Sequence, residues 1–231
     1  MGFYLIGLGL NEKSVSLEAL EIIKKCSKVY LESYTIEFPY EIPELEKVLG
    51  REVDLLDRDK VEGEDFVLDG KSEDICLLVY GSPMMATTHV SLLERCKKEK
   101  IKYNIVQNAS IFDAVAETGL HAYKFGKTAS LIKSDEKVES IEKIIKDNLG
   151  IGAHSLILVD IGLSFGEAVG ELKKYHTGKI VVCSKMGTDE QKIVYGDVDG
   201  LKNEDIKAPF CFIIPSGDLH FGEAGFLKTL N

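Results

Sequence analysis

Short apolar runs alternate with amphipathic stretches along the whole 231-residue chain, with no repeat or low-complexity segment between them, and this pattern predicts an α/β protein. Phe3 to Leu8 reads as a buried strand ending in a glycine turn. Ser16 then caps a helix on whose face Leu17, Leu20 and Ile23 recur at helical spacing. Val29 to Glu32 returns as a strand, Pro43 opens a helix through Leu49, Glu52 to Leu55 is a short strand, and Ile75 to Tyr80 is the most apolar strand of this half. Strands separated by helices in this way predict a parallel sheet. A helix over Met85 to Lys98, a strand from Tyr103 to Val106 and a short helix beginning near Ser110 complete the first half.

The segment from Gly119 to Gly126 holds two glycines and no sustained apolar period, which places a boundary between an N-terminal α/β domain, 1–118, and a C-terminal one, 122–231. The second half restarts with strand Thr128 to Ile132, helix Glu136 to Leu149, strand Ser155 to Ile161, helix Phe165 to Tyr175 and strand Lys179 to Ser184. Strands Gln191 to Tyr195 and Phe210 to Ile214 follow without long intervening helices, so antiparallel pairing and a mixed sheet are expected here.

Composition narrows the function. A hydrophobic fraction of 45% is globular and too high for a solvated disordered chain. The 28 basic residues face 38 acidic ones, for a net charge of −10, and only Arg51, Arg58 and Arg95 are arginines; nucleic acid is disfavoured as a partner. Apolar runs such as Ile75 to Tyr80 fall far short of the ~20 residues a membrane span needs. Phe3-Tyr4-Leu5-Ile6 follows no basic stretch, so no signal peptide is read and a cytoplasmic protein is expected. The five cysteines show no Cys-x-x-Cys pair and read as buried free thiols, and the five histidines show no metal-ligand spacing, so no metal is expected.

In open α/β sheets ligands bind beyond the carboxyl ends of the strands, so the residues following each strand are the candidates for chemistry. Gly7-Leu8-Gly9-Leu10-Asn11 starts like a dinucleotide fingerprint but has Glu12 where the third glycine belongs; it is either a plain tight turn or a close backbone approach to an adenosine or amino-acid group. Gly81-Ser82-Pro83-Met84-Met85-Ala86-Thr87-Thr88-His89 carries three hydroxyls where one would suffice as a cap, and its methionines are either core or a soft lining suited to a sulfonium. Ser110, in Asn108-Ala109-Ser110-Ile111-Phe112, is adequately explained as a helix cap. His220, in the glycine turn Pro215 to Phe221, is either structural or a pocket residue. No G-x-S-x-G elbow, H-E-x-x-H or Walker loop is present, so what remains is a site that orients a reactive cosubstrate. Methyl transfer from a sulfonium needs little beyond in-line placement and a deprotonated acceptor.

At these loops the sequence resembles the tetrapyrrole-methylase type of S-adenosylmethionine-dependent methyltransferases, in the branch that modifies translation elongation factor 2. The carriers run in order: Phe3 to Leu10; Val29-Tyr30-Leu31-Glu32-Ser33-Tyr34-Thr35; Val79 to Pro83 with Ala86-Thr87-Thr88-His89; Asn108 to Phe112; Tyr123 to Thr128; His154 to Ile161; and Ile213-Ile214-Pro215 with Leu219-His220-Phe221. The resemblance implies two α/β domains with the ligand cleft between them, S-adenosylmethionine as methyl donor, a homodimer, and repeated N-methylation of a 3-amino-3-carboxypropyl histidine in translation elongation factor 2, a step toward diphthamide. It also implies donor contacts at Leu10, Ser82, Met85, Ser110 and Ile111, with Ile161, Tyr195 and His220 added from the second domain. Two positions depart from the family: Ser82 stands where Gly-Asp-Pro is usual, and Gly162 where lysine is common. The competing readings are C-methylation of a tetrapyrrole, which would want more than three arginines for its substrate's carboxylates, and a donor-binding protein without turnover.

Overall fold

In the computed structural model, which describes residues 1–230, the continuous apolar runs of the first half become strands buried on both faces. The chain divides into two units, Met1–Ile111 and Phe112 onward.

The first unit is built from β1 (Gly2–Gly7), α1 (Leu17–Lys25), β2 (Lys28–Glu32), α2 (Ile42–Leu49), β3 (Asp54–Leu56), α3 (Arg58–Gly63), β4 (Asp74–Val79), α4 (Val90–Glu99) and β5 (Tyr103–Val106). Its sheet has the order β3-β2-β4-β1-β5, with every pairing parallel. Alternate residues of one strand therefore face two cores. Phe3 and Leu5 pack with Ile75, Leu77 and the α4 residues Leu92, Leu93 and Cys96. Ile6 packs with Leu31, Cys76, Leu78 and the α1 and α2 residues Ala19, Ile23, Leu45 and Leu49. Helices on both faces explain why these strands read as unbroken apolar runs. All five carboxyl ends lie along one edge.

The short helix α5 (Ile111–Ala114) starts on the last residue of the first unit, and the second unit continues with β6 (Ala129–Leu131), α6 (Glu139–Gly150), β7 (Ser155–Val159), α7 (Phe165–Leu172), β8 (Lys179–Ser184), β9 (Lys192–Asp197), α8 (Val198–Leu201), β10 (Phe210–Ile214) and α9 (Phe221–Leu227). The order is β6-β7-β10-β8-β9, with β6 and β7 parallel and the remaining pairs antiparallel, the mixed sheet expected from the missing connecting helices. Ile157, Ile180, Val182, Phe212 and Ile214 bury against Ile141 and Ile145 of α6 and Phe165, Val169 and Leu172 of α7. All five cysteines are buried free thiols.

One helix starts later than its periodicity suggests. The expected helix from Met85 begins only at Val90, because Ala86 adopts a left-handed φ of 53° that no helix can contain. The short helices α3, α8 and α9 carry too few turns to announce themselves by spacing.

Candidate functional site

Three loops leave the carboxyl edge of the parallel sheet, after β1, β4 and β5, and the structure knots them together. Gly9 and Gly81 bond each other twice, Gly9 N–H to Gly81 O at 3.1 Å and Gly81 N–H to Gly9 O at 2.9 Å. Both adopt left-handed φ values, 76° and 73°, where a side chain would be strained. Gly7 is needed for space: a Cβ there would lie 2.6 Å from Gly81 O, 2.8 Å from Pro83 Cδ and 3.0 Å from Asn108 Cβ. Asn108, from the third loop, donates its amide to Gly7 O at 3.1 Å and to Ser14 O at 3.0 Å, tying the exit of β1 to the entry of α1. Tyr80 donates its hydroxyl to Leu10 O at 3.0 Å, and burial raises its phenol well above the usual value, so it stays a donor.

The first-unit residues singled out from the sequence gather here. Leu10 is buried on the first loop; Ser82 is buried on the second, donating to Gln107 Oε1 at 3.2 Å; Ser110 is buried on the third. The Cβ position of Gly81 falls 3.7 Å from Ser110 Cα, so the second and third loops touch through backbone. Met85, whose backbone N–H donates to Ser82 O at 3.2 Å, is 44% exposed, and Ile111 is half-buried at the start of α5. Ala86 just beyond Met85 holds a conformation that costs an alanine about 1–2 kcal/mol, a strain that the surrounding bonds must sustain. Such a knot brings together glycine backbone and two buried hydroxyls, with a partly exposed thioether in the same loop as Ser82, features that suit a ligand with an amino-acid part and a soft sulfur centre.

The second-unit candidates do not cluster. Ile161 follows β7 and is 41% exposed, with its N–H on Asp160 Oδ1. His220 follows β10, which runs antiparallel to β7, and so stands at the opposite end of the sheet, near His154 at the entry to β7. Tyr195 lies within β9, opposite Val181, with the Lys179 ammonium 5.4 Å from its ring centroid.

The groups around His220 are organised by a residue that sequence reasoning missed. Glu223 is fully buried, and its Oε1 accepts from the His121 backbone and from His154 Nε2, both at 2.9 Å. Its Oε2 accepts from the His220 backbone at 2.8 Å and from Lys124 Nζ at 2.7 Å. Burial acts to raise this carboxyl, but Lys124 and the backbone and imidazole donors outweigh it and hold it far below the usual range. Asn108, Gln107 and Tyr80 were also missed as connectors. Only the segments Asn108 to Phe112 and Val79 to Pro83, which carry the family resemblance, pointed toward them.

Residues 2–202 match the family model for Tetrapyrrole (Corrin/Porphyrin) Methylases. The chain is 35% identical to the diphthine methyl ester synthase of Schizosaccharomyces pombe over 98% of its own length and 93% of that protein. It is 37% identical to the diphthine synthase of Methanocaldococcus jannaschii, covering 98% and 97%. Among solved structures it superposes on a crystal structure of diphthine synthase with a TM-score of 0.90 at 31% identity, covering 99% of this chain and 95% of that one.

Proposed function

The chain belongs to the tetrapyrrole methylase family, in its diphthine synthase branch, and from that premise we propose that it transfers methyl groups from S-adenosylmethionine to the amino group of a 3-amino-3-carboxypropyl histidine in translation elongation factor 2. It is a methyltransferase of diphthamide biosynthesis. The observation that carries this reading is the likeness, over 98% of the chain, to proteins bearing the diphthine synthase name.

When bound, the donor supplies a methyl group on a sulfonium. Gly7, Gly9 and Gly81 let backbone approach it closely, Ser82 and Ser110 offer hydroxyls to its polar groups, and Met85 offers a soft surface. Leu10 and Ile111 complete the first-unit set, and Ile161, Tyr195 and His220 are the second unit's contribution in this reading. The acceptor amine must be neutral: its lone pair forms the new N–C bond as the C–S bond breaks, the thioether leaves uncharged, and one proton departs per transfer. The protein's contribution is placement, which in well-oriented reactions is worth on the order of 7–11 kcal/mol.

The three arginines speak against a polycarboxylate tetrapyrrole. Arg51 donates to the carbonyls of Ile23, Cys26 and Ser27; Arg58 stacks 5.1 Å over Tyr34 and pairs with Glu62; Arg95 pairs with Glu99. None is held in reserve for a substrate.

The test is transfer of labelled methyl groups to elongation factor 2 carrying the carboxypropyl-histidine, with a mass spectrum of that residue. Label on the histidine is expected. Calorimetric donor binding without any transfer would replace this reading with that of a donor-binding protein.

A further inference from the structure

Behind the second donor loop lies a buried carboxyl–imidazole pair that no step of the transfer uses. Glu32 ends β2 and His89 stands just before α4; their side chains are 2% and 3% exposed, and Nε2 of the imidazole is 2.9 Å from Oε1 of the carboxylate. The other carboxylate oxygen accepts from Thr35 Oγ1 at 2.9 Å. The other imidazole nitrogen, Nδ1, lies 2.8 Å from the Pro83 carbonyl oxygen. A carbonyl only accepts, so Nδ1 carries a hydrogen, and the Nε2–Oε1 contact is bridged by a second proton whichever partner owns it. His89 is thus locked as a donor aimed at the backbone between Ser82 and Met85.

The segment it grips needs holding. Gly81 and Ala86, on either side of Pro83, both have left-handed φ values, and His89 N–H is itself fastened to Thr87 Oγ1 at 3.0 Å. We propose that the Glu32–His89 pair is a positioning device for the donor loop: the imidazole, oriented from β2, fixes the Pro83 carbonyl and thereby the placement of Ser82 and Met85. This rests on the reading of that loop as donor-binding. His89 touches no reacting atom; it acts through the loop. Glu32 belongs to the neighbouring strand β2, so the sheet helps to set the shape of a loop that His89 closes.

The experiment compares His89→Leu, His89→Asn and Glu32→Gln by S-adenosylmethionine calorimetry, steady-state kinetics and thermal unfolding. His89→Leu removes the donor to Pro83 and raises the donor KM and Kd roughly tenfold by depopulating the binding-competent loop, while kcat at saturating donor stays within about threefold. His89→Asn restores a donor at the Nδ1 position without reaching Glu32, and recovers most of the affinity. Glu32→Gln donates its amide to a neutral imidazole, keeps both bonds, and binds donor within about threefold of the unaltered protein. Unchanged donor affinity in His89→Leu overturns the proposal. So does an Asn variant no better than Leu while both track the loss of thermal stability, since that is the signature of a merely structural residue. Should the Leu variant not fold, a Glu32→Leu protein that folds and binds donor as tightly as the unaltered protein overturns it as well. No donor binding by the unaltered protein is a separate result, which removes the donor reading of the loop itself.

Discussion

Glu223 and His154 meet at 2.9 Å with both side chains fully buried, and the direction of their hydrogen bond is fixed by a third group. Ser216 donates its backbone N–H to His154 Nδ1 at 2.9 Å, so Nδ1 is the acceptor and Nε2–H is the donor to the carboxylate. His154 is therefore neutral, and the negative charge of Glu223 is answered by Lys124 and by backbone N–H groups.

Removing that carboxylate strands its donors. Glu223→Ala is expected to destabilise the protein by about 3–5 kcal/mol, because the His154 Nε2–H and two backbone N–H groups lose their acceptor inside the fold and Lys124 keeps only the Asp218 carbonyl. Glu223→Gln should cost less, since its amide oxygen still accepts. Urea unfolding measures both, and a loss below about 1 kcal/mol for the alanine variant would contradict the hub.

The same geometry sets a pH response. Burial holds His154 below its ordinary value of 6.5, with Glu223 opposing only in part. Just below pH 6.5 the unfolded chain then binds more protons than the native one, so the stability from neutral His154 is present above that pH and lost as pH falls. His89 runs the other way: burial opposes it, yet Glu32 and the Pro83 carbonyl raise it, and its contribution is lost only as pH rises through that raised value. Amide exchange should show β7 losing protection between pH 7 and about 5.5 while β4, in the first unit, does not. Equal loss in both strands would refute this.

Gly7→Ala tests the knot. The added methyl meets the Gly81 carbonyl and the Pro83 ring, neither the end of a flexible side chain. A destabilisation of about 1–3 kcal/mol together with loss of donor binding is expected. Calorimetry and urea unfolding read the two effects separately, and intact donor binding would mean that the loops do not hold it.

Ser82→Asp introduces the carboxylate that the family resemblance implies at this position. Its neighbour Gln107 can turn its amide to donate to the new charge. The cationic donor should bind roughly three- to tenfold tighter, and equal or weaker binding would place its charged groups elsewhere.

The strands from Phe3, Ile75, Lys179 and Phe210 were legible because burial on one or two faces writes itself into the apolar pattern, and a missing helix between strands announced antiparallel pairing. The candidate loops were legible for a related reason. In a parallel sheet every carboxyl end lies on one edge, so finding the strands located Leu10, Ser82 and Ser110. Met85 to His89 was misread as helix because apolar spacing does not report φ at Ala86.

By itself, then, the sequence determined the order of the strands and of the longer helices, the sheet types and which loops could meet, since these follow from local periodicity and connection length. Tertiary structure decided what passes between residues far apart in the chain. Glu32 and His89 are separated by 57 positions, Asn108 and Gly7 by 101, and His154 and Glu223 by 69. A buried polar group needs a partner, but nothing local says which one; only the closing of the sheets brings donor and acceptor within 3 Å or so of each other. The same closing sends His220 and Ile161 to opposite ends of one sheet, because β7 and β10 run antiparallel.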